Sequence, residues 1–343
     1  MNTVKELPID EVKDGWEKAQ IHGVKSTVFQ SFLWNSAWVK TFADNDNVKI
    51  SVVYDAENIV AIIPIIKLRK FLVPVYRFIA DNVSDYNDII VFKKSSILDE
   101  FLCQYLTKLM CKKMNLFLLR NISTASNISR VLGNSVTYTQ FSQTVYAKNI
   151  NNYRDVNCNK KQRNNAKRLY KRLKEKGDIE YSLRGGDKID LNQLLRFKTS
   201  SLKKKGLQSI VFDSRYEEFL YKVMNEDPNS FFISYLKLNG ELVSASFNFL
   251  HGDTFYYYLP AYNDSFYKYS PSSILLYLML GDIENMESVS LIDFLKGDEQ
   301  YKYIWALEHE NLPLNVVSSL DAGIMQWVVR NKENGFMSLF KKL

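Results

Sequence analysis

Titratable side chains are concentrated in one segment, IDFLKGDEQYKYIW, which covers residues 292–305. An apolar run ends there at Asp293, and five charged or phenolic residues follow within nine positions. They are Lys296, Asp298, Glu299, Tyr301 and Lys302. Ligands of open α/β sheets collect beyond the carboxyl ends of strands, so this composition favours a functional loop. A helix start in which an acid pairs with Lys302 accounts for the same residues, and both interpretations stay open.

A second segment of this kind begins at Pro271, where Ser272 and Ser273 open an apolar stretch with the pattern of a helix. Proline suits the first turn of a helix, and serine hydroxyls can cap its free N–H groups. Free N–H groups and the positive end of the helix dipole favour an anion such as pyrophosphate, and Lys268 lies just before them. An ordinary helix capped by Ser270 or Ser272 is the alternative.

Apolar residues recur at helical spacing in some segments and form short runs in others, which predicts alternating helices and strands. The predicted helices cover residues 29–42, 96–115, 157–177, 191–205, 214–224 and 272–286. The predicted strands cover residues 50–54, 58–66, 116–120, 231–238, 241–250, 255–262 and 289–295. Asn239-Gly240 between two strands is typical of a type I′ hairpin. The predicted fold class is α/β with mixed sheets.

The length of 343 residues, with 46% hydrophobic residues, predicts two domains with packed cores. We place them at residues 1–150 and 151–343. Two hairpin-like segments that begin with Ile-Ser, at Ile50 and Ile233, lie 183 residues apart and share their internal spacing. This similarity is consistent with a duplication.

The net charge of +7 originates in one helix, because residues 154–176 carry +8 and the rest of the chain −1. Ala166, Leu169, Tyr170 and Leu173 give the predicted basic helix one apolar face. It is either a solvated link between the domains or a surface for a polyanion such as CoA, a nucleotide sugar or RNA. No RNA-binding motif accompanies it.

Several function classes are not supported. Three cysteines without a C-x-x-C spacing argue against a disulfide framework. His22, His251 and His309 are isolated, so we expect no metal site. The P-loop, dinucleotide-binding and hydrolase motifs are absent. The N-terminal residues lack an apolar signal, and no apolar run is long enough for a membrane anchor, so we expect a cytoplasmic protein.

The segments AYNDSFYKYSPSSILL and IDFLKGDEQYKYIWA together resemble the signature of the CelD-like and Fem-type group of GNAT-superfamily acyltransferases. FQSFLW, NIVAIIPI and NVSDYNDIIV also resemble the first domain of that group. The resemblance implies two tandem GNAT-like domains. It also implies transfer of an acyl group from acyl-CoA to an amino sugar in surface polysaccharide or lipopolysaccharide biosynthesis.

Carried over by position, the resemblance assigns CoA to the C-terminal domain and the acceptor to the N-terminal domain. Pantetheine would lie along Tyr257, Tyr258 and Leu259, and the pyrophosphate near Lys268, Tyr269, Ser270, Ser272 and Ser273. Serine replaces the usual glycine at 272 and 273, and a hydroxyl can also donate to phosphate. A backbone N–H near Leu259 would stabilise the oxyanion, Tyr301 would be the proton donor, and Asp293 or Asp298 the base.

The implied acceptor-binding residues are Gln30, Trp34, Asp85, Tyr86, Lys296 and Lys302. Core packing is the alternative for Trp34, and turn chemistry is the alternative for Asp85. The function that follows is N-acylation of a nucleotide-linked amino sugar, for example a dTDP-amino-deoxyhexose, without DNA, a metal or a membrane anchor. The alternative is a Fem-type transferase that uses aminoacyl-tRNA, or an RNA-binding module, in which the basic helix binds RNA.

Overall fold

The computed structural model describes residues 2–21, 26–43, 48–70, 73–111, 116–148 and 150–318. These residues form two compact units. One contains the chain up to Gln143 and the described residues from Leu312, and the other contains Thr144–Asn311. Strands and helices alternate in both units, so the predicted mixed α/β class is confirmed.

The secondary structure of the described residues is numbered in chain order. The strands are β1 (Asn2–Pro8), β2 (Lys49–Asp55), β3 (Asn58–Ile63), β4 (Ile65–Lys70), β5 (Val73–Phe78), β6 (Ile90–Val91), β7 (Leu116–Ser123), β8 (Tyr138–Lys148), β9 (Ile179–Ser182), β10 (Phe231–Leu238), β11 (Glu241–His251), β12 (Thr254–Tyr262), β13 (Leu291–Lys296) and β14 (Glu310–Ser318). The helices are α1 (Lys13–Ile21), α2 (Phe32–Phe42), α3 (Ser96–Met110), α4 (Asn127–Leu132), α5 (Tyr153–Val156), α6 (Lys160–Lys174), α7 (Lys188–Lys204), α8 (Arg215–Glu226), α9 (Pro271–Ile283) and α10 (Gln300–Trp305).

In the first unit, β1, β2, β3 and β6 form one antiparallel sheet, and β4, β5, β7 and β14 are neighbours in another. The single strand predicted for residues 58–66 is wrong, because the chain breaks at Pro64 into β3 and β4. Proline has no N–H to donate to a ladder. The Pro64 carbonyl accepts instead from the N–H of Ile79 at 2.9 Å, and the two strands enter different sheets.

The second unit is built on the strand order β13-β12-β11-β10-β9, with the end of β8 (residues 144–148) paired to β13. All neighbours are antiparallel except β12 and β13. Asn239 and Gly240 join β10 to β11 with φ angles of 50° and 80°. Positive φ at both central residues defines the type I′ turn, so that prediction is confirmed.

Consecutive residues of β12 face opposite sides of this sheet. Tyr257 belongs to the core that Leu275 and Met279 of α9 complete. The hydroxyl of Tyr258 lies 2.9 Å from that of Tyr216, at the start of α8. Helices α6 and α9 therefore cover one side, and α7 and α8 the other.

The basic helix forms as α6 and begins at Asn159, whose side chain accepts from the N–H groups of Lys161 and Gln162. Its apolar face is buried through Ala166, Leu169 and Leu173. The other predicted helices also form, although the last residues of the segment 96–115 lie outside the described residues. No helix in the described part of the chain is long and apolar enough to cross a membrane.

The half-buried side chain of Asp88 organises the first turn of α4. Asp88 Oδ1 accepts from the N–H groups of Ile89 and Ile128, each at 2.8 Å, and Oδ2 accepts from the N–H of Asn127 at 2.8 Å. Burial raises the pKa of Asp88 to about 6, although these donors act in the opposite direction.

This raised pKa makes the stability of the first unit pH-dependent. The native state takes up the proton more readily than the unfolded chain, so the associated stability is present below pH 4 and is lost as the pH rises to 6. We expect wild type to lose on the order of 3 kcal/mol relative to Asp88→Asn over that interval. Urea unfolding of both proteins at several pH values measures it. A constant difference, or a gain by wild type, would mean that the N–H donors outweigh burial.

Candidate active site

The parallel strands β12 and β13 separate at their carboxyl ends. Only Thr254–Tyr256 of β12 pair with β13, through Leu291–Asp293, although β12 continues to Tyr262. Beyond these residues a wedge opens, and one edge of the β12 backbone faces it. The structure thus forms a cleft at the carboxyl ends of two strands, where ligands of open sheets bind.

Two irregularities bend these strands apart. On β12, Leu259 pairs with Phe247 and Tyr257 with Asn248, which leaves Tyr258 as the extra residue of a β-bulge. On β13, the register with β8 shifts between Asp293 and Lys296. A bulge bends its strand and increases the local twist.

Pro260 is the second residue after the bulge on β12. Proline is confined to sheet edges, strand starts and bulges because it cannot donate to a ladder. Its position here is beyond the residues of β12 that pair with β13. The separation of the strands therefore explains how the segment 255–262 remains a strand despite its proline.

The end of β13 is held by two charged residues that are almost completely buried. Asp293 Oδ1 accepts from the N–H of Leu295 at 2.7 Å. Lys302 Nζ donates to the carbonyls of Leu295, Lys296 and Gly297 at 2.9, 2.8 and 3.2 Å. The three donors of this ammonium group thus have acceptors at the end of β13 and at the start of the loop that follows.

Lys302 also forms an ion pair of 3.0 Å with Glu299, three residues earlier, which directly precedes α10. The pairing predicted as the alternative for this segment is therefore confirmed. Lys302 is nevertheless only 2% exposed, so the pair is not a solvated surface pair. The predicted roles of Asp293 as base and Lys302 as substrate ligand remain predictions, and both residues shape the loop.

Tyr301 lies on the α9 side of the cleft, on the first turn of α10. Its ring centre is 6.4 Å from that of Tyr257 in an edge-to-face arrangement. Burial raises the pKa of Tyr257, which stays a neutral phenol. Asp298 and Lys296 belong to the same loop, Asp298 exposed and Lys296 half-buried. The structure therefore brings Tyr257, Tyr301 and the loop after β13 together.

Helix α9 begins without a side-chain cap. Ser270 precedes it in the left-handed region with φ 48°, and its carbonyl accepts from the N–H groups of Ser273 and Ile274. Because Pro271 has no N–H, Ser272 carries the remaining donor of the first turn. Lys268 is exposed before this turn, and Tyr269 is buried in the core of the unit. The helix start thus retains the features of an anion site.

Sequence patterns gave no indication of Lys198, which lies on α7 at the other side of the cleft. Its Nζ donates to the carbonyl of Pro260 at 3.2 Å. Burial lowers the pKa of Lys198, and nearby Glu299 opposes this shift. A lysine on an amphipathic helix is normally solvated, and only the tertiary contact with β12 identifies this one.

The residues predicted in the first unit form a buried network there. Gln30 Nε2 donates to the carbonyl of Tyr86 at 3.0 Å, and Trp34 Nε1 donates to Ser84 Oγ at 2.9 Å. Gln30, Trp34 and Tyr86 are all buried, whereas Asp85 is half-buried. The packing alternative for Trp34 matches this environment, and the acceptor role of these residues stays a prediction.

Comparison with known proteins identifies the fold. Residues 160–303 match a family model described as an acetyltransferase (GNAT) domain. This part of the chain is therefore similar to a GNAT domain. It contains the separated strands, the uncapped start of α9 and the basic helix α6. The comparison with curated proteins finds no match.

Solved structures with a similar fold cover nearly the whole chain. FemX aligns with 95% of this chain and 100% of its own, with a TM-score of 0.58 and 10% identity. A tandem GNAT protein from the clavulanic acid pathway aligns with 94% of this chain and 100% of its own, with a TM-score of 0.52 and 10% identity.

A third similar structure is the C-terminal domain of an Agrobacterium fabrum protein described as a lysylphosphatidylglycerol synthetase. It aligns with 93% of this chain and 95% of its own, with a TM-score of 0.57 and 7% identity. At such identities these similarities bear on the fold alone. The predicted fold of two tandem GNAT-like domains is confirmed, and with it a fold typical of N-acyltransferases.

We expect Lys302→Met to destabilise the second unit by about 3 kcal/mol, because it leaves three carbonyls and Glu299 without a buried cation. Denaturant unfolding monitored by tryptophan fluorescence measures the change. Lys176→Met is the control, since Lys176 is exposed and should change stability by less than about 0.5 kcal/mol. Equal effects of the two substitutions would contradict a structural role for Lys302.

We also expect Lys198 to titrate at a lower pH than exposed lysines, because burial disfavours its charged form. Reductive methylation with ¹³C-formaldehyde followed by NMR titration measures each lysine, and Lys198→Arg assigns the signal. Lys176 provides the exposed reference. Identical midpoints for the two lysines would show that Lys198 is solvated.

Proposed function

We propose that this protein is an acyl-CoA-dependent N-acyltransferase that acylates the amine of a nucleotide-linked amino sugar in surface polysaccharide biosynthesis. The observation that carries the proposal is the cleft between β12 and β13, which opens beside the uncapped start of α9. A donor with a peptide-like arm and a pyrophosphate matches these two features. The resemblance to CelD-like acyltransferases supports the amino sugar as acceptor.

Beyond Tyr256, the edge of β12 lies past its pairing with β13. Amides of pantetheine would bind there in the manner of an added strand, alongside Tyr257, Tyr258 and Leu259. The pyrophosphate would be bound by Ser272 and Ser273 at the start of α9. Both serines are half-buried, and the Ser272 hydroxyl lies 3.4 Å from that of Ser244; a serine hydroxyl can donate to phosphate in place of the close backbone approach that glycine would allow.

The reaction requires a neutral amine to attack the thioester carbonyl, after which the C–S bond breaks and the thiolate takes up a proton. Tyr301 is our proton donor, because it lies beside Tyr257 on the cleft. The backbone N–H of Leu259, next to the bulge, would stabilise the oxyanion. Asp298, which is exposed on the loop, would accept the proton of the amine through water.

An aminoacyl-tRNA-dependent transferase is the second candidate function, and the basic surface of α6 favours it. Residues 154–176 contain ten basic and two acidic residues, which would allow many contacts with RNA phosphates. The choice between donors therefore rests on whether the cleft binds CoA or the helix binds RNA.

Thiol release tests both candidates. The purified protein is incubated with a panel of acyl-CoA thioesters and dTDP- or UDP-linked amino sugars, and free thiol is detected with a chromogenic disulfide. Release that depends on the amine would support the proposal and identify the substrates. No release, together with no CoA binding by calorimetry and salt-sensitive tRNA binding, would favour the second candidate.

We expect Tyr301→Phe to lower kcat about 100-fold with little change in KM, because a general acid acts mainly in the transition state. Tyr303→Phe is the matched control on the same helix, where the Tyr303 ring packs against His309. It should retain kcat within about twofold. An unchanged kcat in Tyr301→Phe would remove Tyr301 as proton donor.

A further inference from the structure

We propose that the C-terminal half of α6 binds the 3′-phosphate of the CoA donor, a role that rests on the proposed function. The residues concerned are Lys167, Lys171 and Lys174, together with Lys268 before α9. We call this group the lysine flank. It would make the enzyme discriminate CoA from carriers that have the same pantetheine and pyrophosphate but lack the 3′-phosphate.

The position of the lysine flank follows from how α6 packs on α9. At the beginning of α6, Arg163 donates to the carbonyl of Arg154 at 2.7 Å. Arg154 pairs at 2.6 Å with Glu284, which ends α9. In the middle of α6, Lys167 Nζ lies 5.9 Å from the ring centre of Tyr277. The two helices are therefore antiparallel.

The C-terminal half of α6 is consequently level with the first turn of α9. In agreement, α6 also contacts the 3₁₀ turn Asp264–Tyr269, which leads directly into α9. Lys268 is exposed on that turn. Lysines from two separate elements thus approach the place where the proposed pyrophosphate is bound.

The lysine flank carries charge that its own fold does not neutralise. Lys167, Lys171, Lys174 and Lys268 are all exposed, and none of them pairs with a carboxylate of the described residues. Lys167 and Lys171 are four residues apart, and Lys171 and Lys174 three apart, so these like charges repel each other. Packing of α6 requires only Ala166, Leu169 and Leu173. An anionic ligand would relieve this repulsion.

The negative charge of the CoA 3′-phosphate complements the positive charge of the lysine flank. A phosphate monoester carries about −1.5 to −2 at neutral pH and has three strong acceptor oxygens. The start of α9 offers its remaining N–H, that of Ser272, to a pyrophosphate, and a second phosphate group beside it requires further cations. If the start of α9 binds the pyrophosphate, the 3′-phosphate of CoA must be bound by other groups.

The test compares calorimetric binding of CoA and dephospho-CoA, which differ only in the 3′-phosphate. We expect wild type to bind CoA about tenfold more tightly, as several screened cation–phosphate contacts would allow. The variant Lys171→Ala/Lys174→Ala should bind both with similar affinity. The preference of wild type should also fall as salt is raised from 50 to 300 mM.

The matched control is Lys160→Ala/Lys161→Ala, which removes two charges from the other end of the same helix. This control should retain the wild-type preference for CoA over dephospho-CoA. A general charge effect would reduce that preference as much as Lys171→Ala/Lys174→Ala does. Equal binding of both ligands by wild type, or an unchanged preference in Lys171→Ala/Lys174→Ala, would overturn the inference while leaving the CoA donor intact. Binding of neither ligand would overturn the proposed donor as well.

Discussion

The ammonium group of Lys302 is buried at the end of β13, where it donates to three carbonyl oxygens in a low-dielectric environment. Leu295, next to the last residue of β13, adopts a positive φ of 62°, a conformation that costs a side chain of its type free energy. The carboxylate of Asp293 and the ammonium of Lys302 together stabilise this conformation. Because the loop turns β13 away from β12, the cleft depends on these two interactions.

The cleft has different chemistry on its two sides. On the α9 side, the ring of Tyr301 packs edge-to-face on the buried ring of Tyr257, whose pKa is raised by burial. On the α7 side, Lys198 contacts the Pro260 carbonyl near Glu299 and Lys302, so that side is charged. The alternation of side chains along one strand, with a bulge at Tyr258, produces this division. A donor and an acceptor of different polarity can therefore approach the same backbone from opposite sides.

Features with a local physical cause could be predicted from the sequence. The Asn239-Gly240 turn needs positive φ angles, and α9 starts at Pro271, so both segments specify their own structure. The fold class followed from such segments. The break at Pro64 was missed because the apolar run continues through the proline, and the strand partners on either side differ. Local pattern contains no information about which sheet a residue joins.

The roles of charged residues could be predicted least well. Lys302 and Lys198 are ordinary lysines in the sequence, and their burial depends on where β13 and β12 place their carbonyl groups. The segment 292–305 was recognised as unusual from its composition, and the ion pair with Glu299 from its spacing. Which of its charges hold the loop and which face the cleft depends on tertiary packing, which spacing alone does not encode.

The return of β14 to the first unit affects how the protein matures. Leu314 pairs with Ser123 of β7, so the first unit gains a strand from a segment that follows the whole second unit in the chain. At roughly 5–20 residues per second, a ribosome needs several seconds or more to synthesise the residues between β7 and β14. The second unit, whose residues are contiguous, can be complete before the first. During that interval β7 has one edge without β14, and a nascent chain with an open strand edge is a substrate for chaperones.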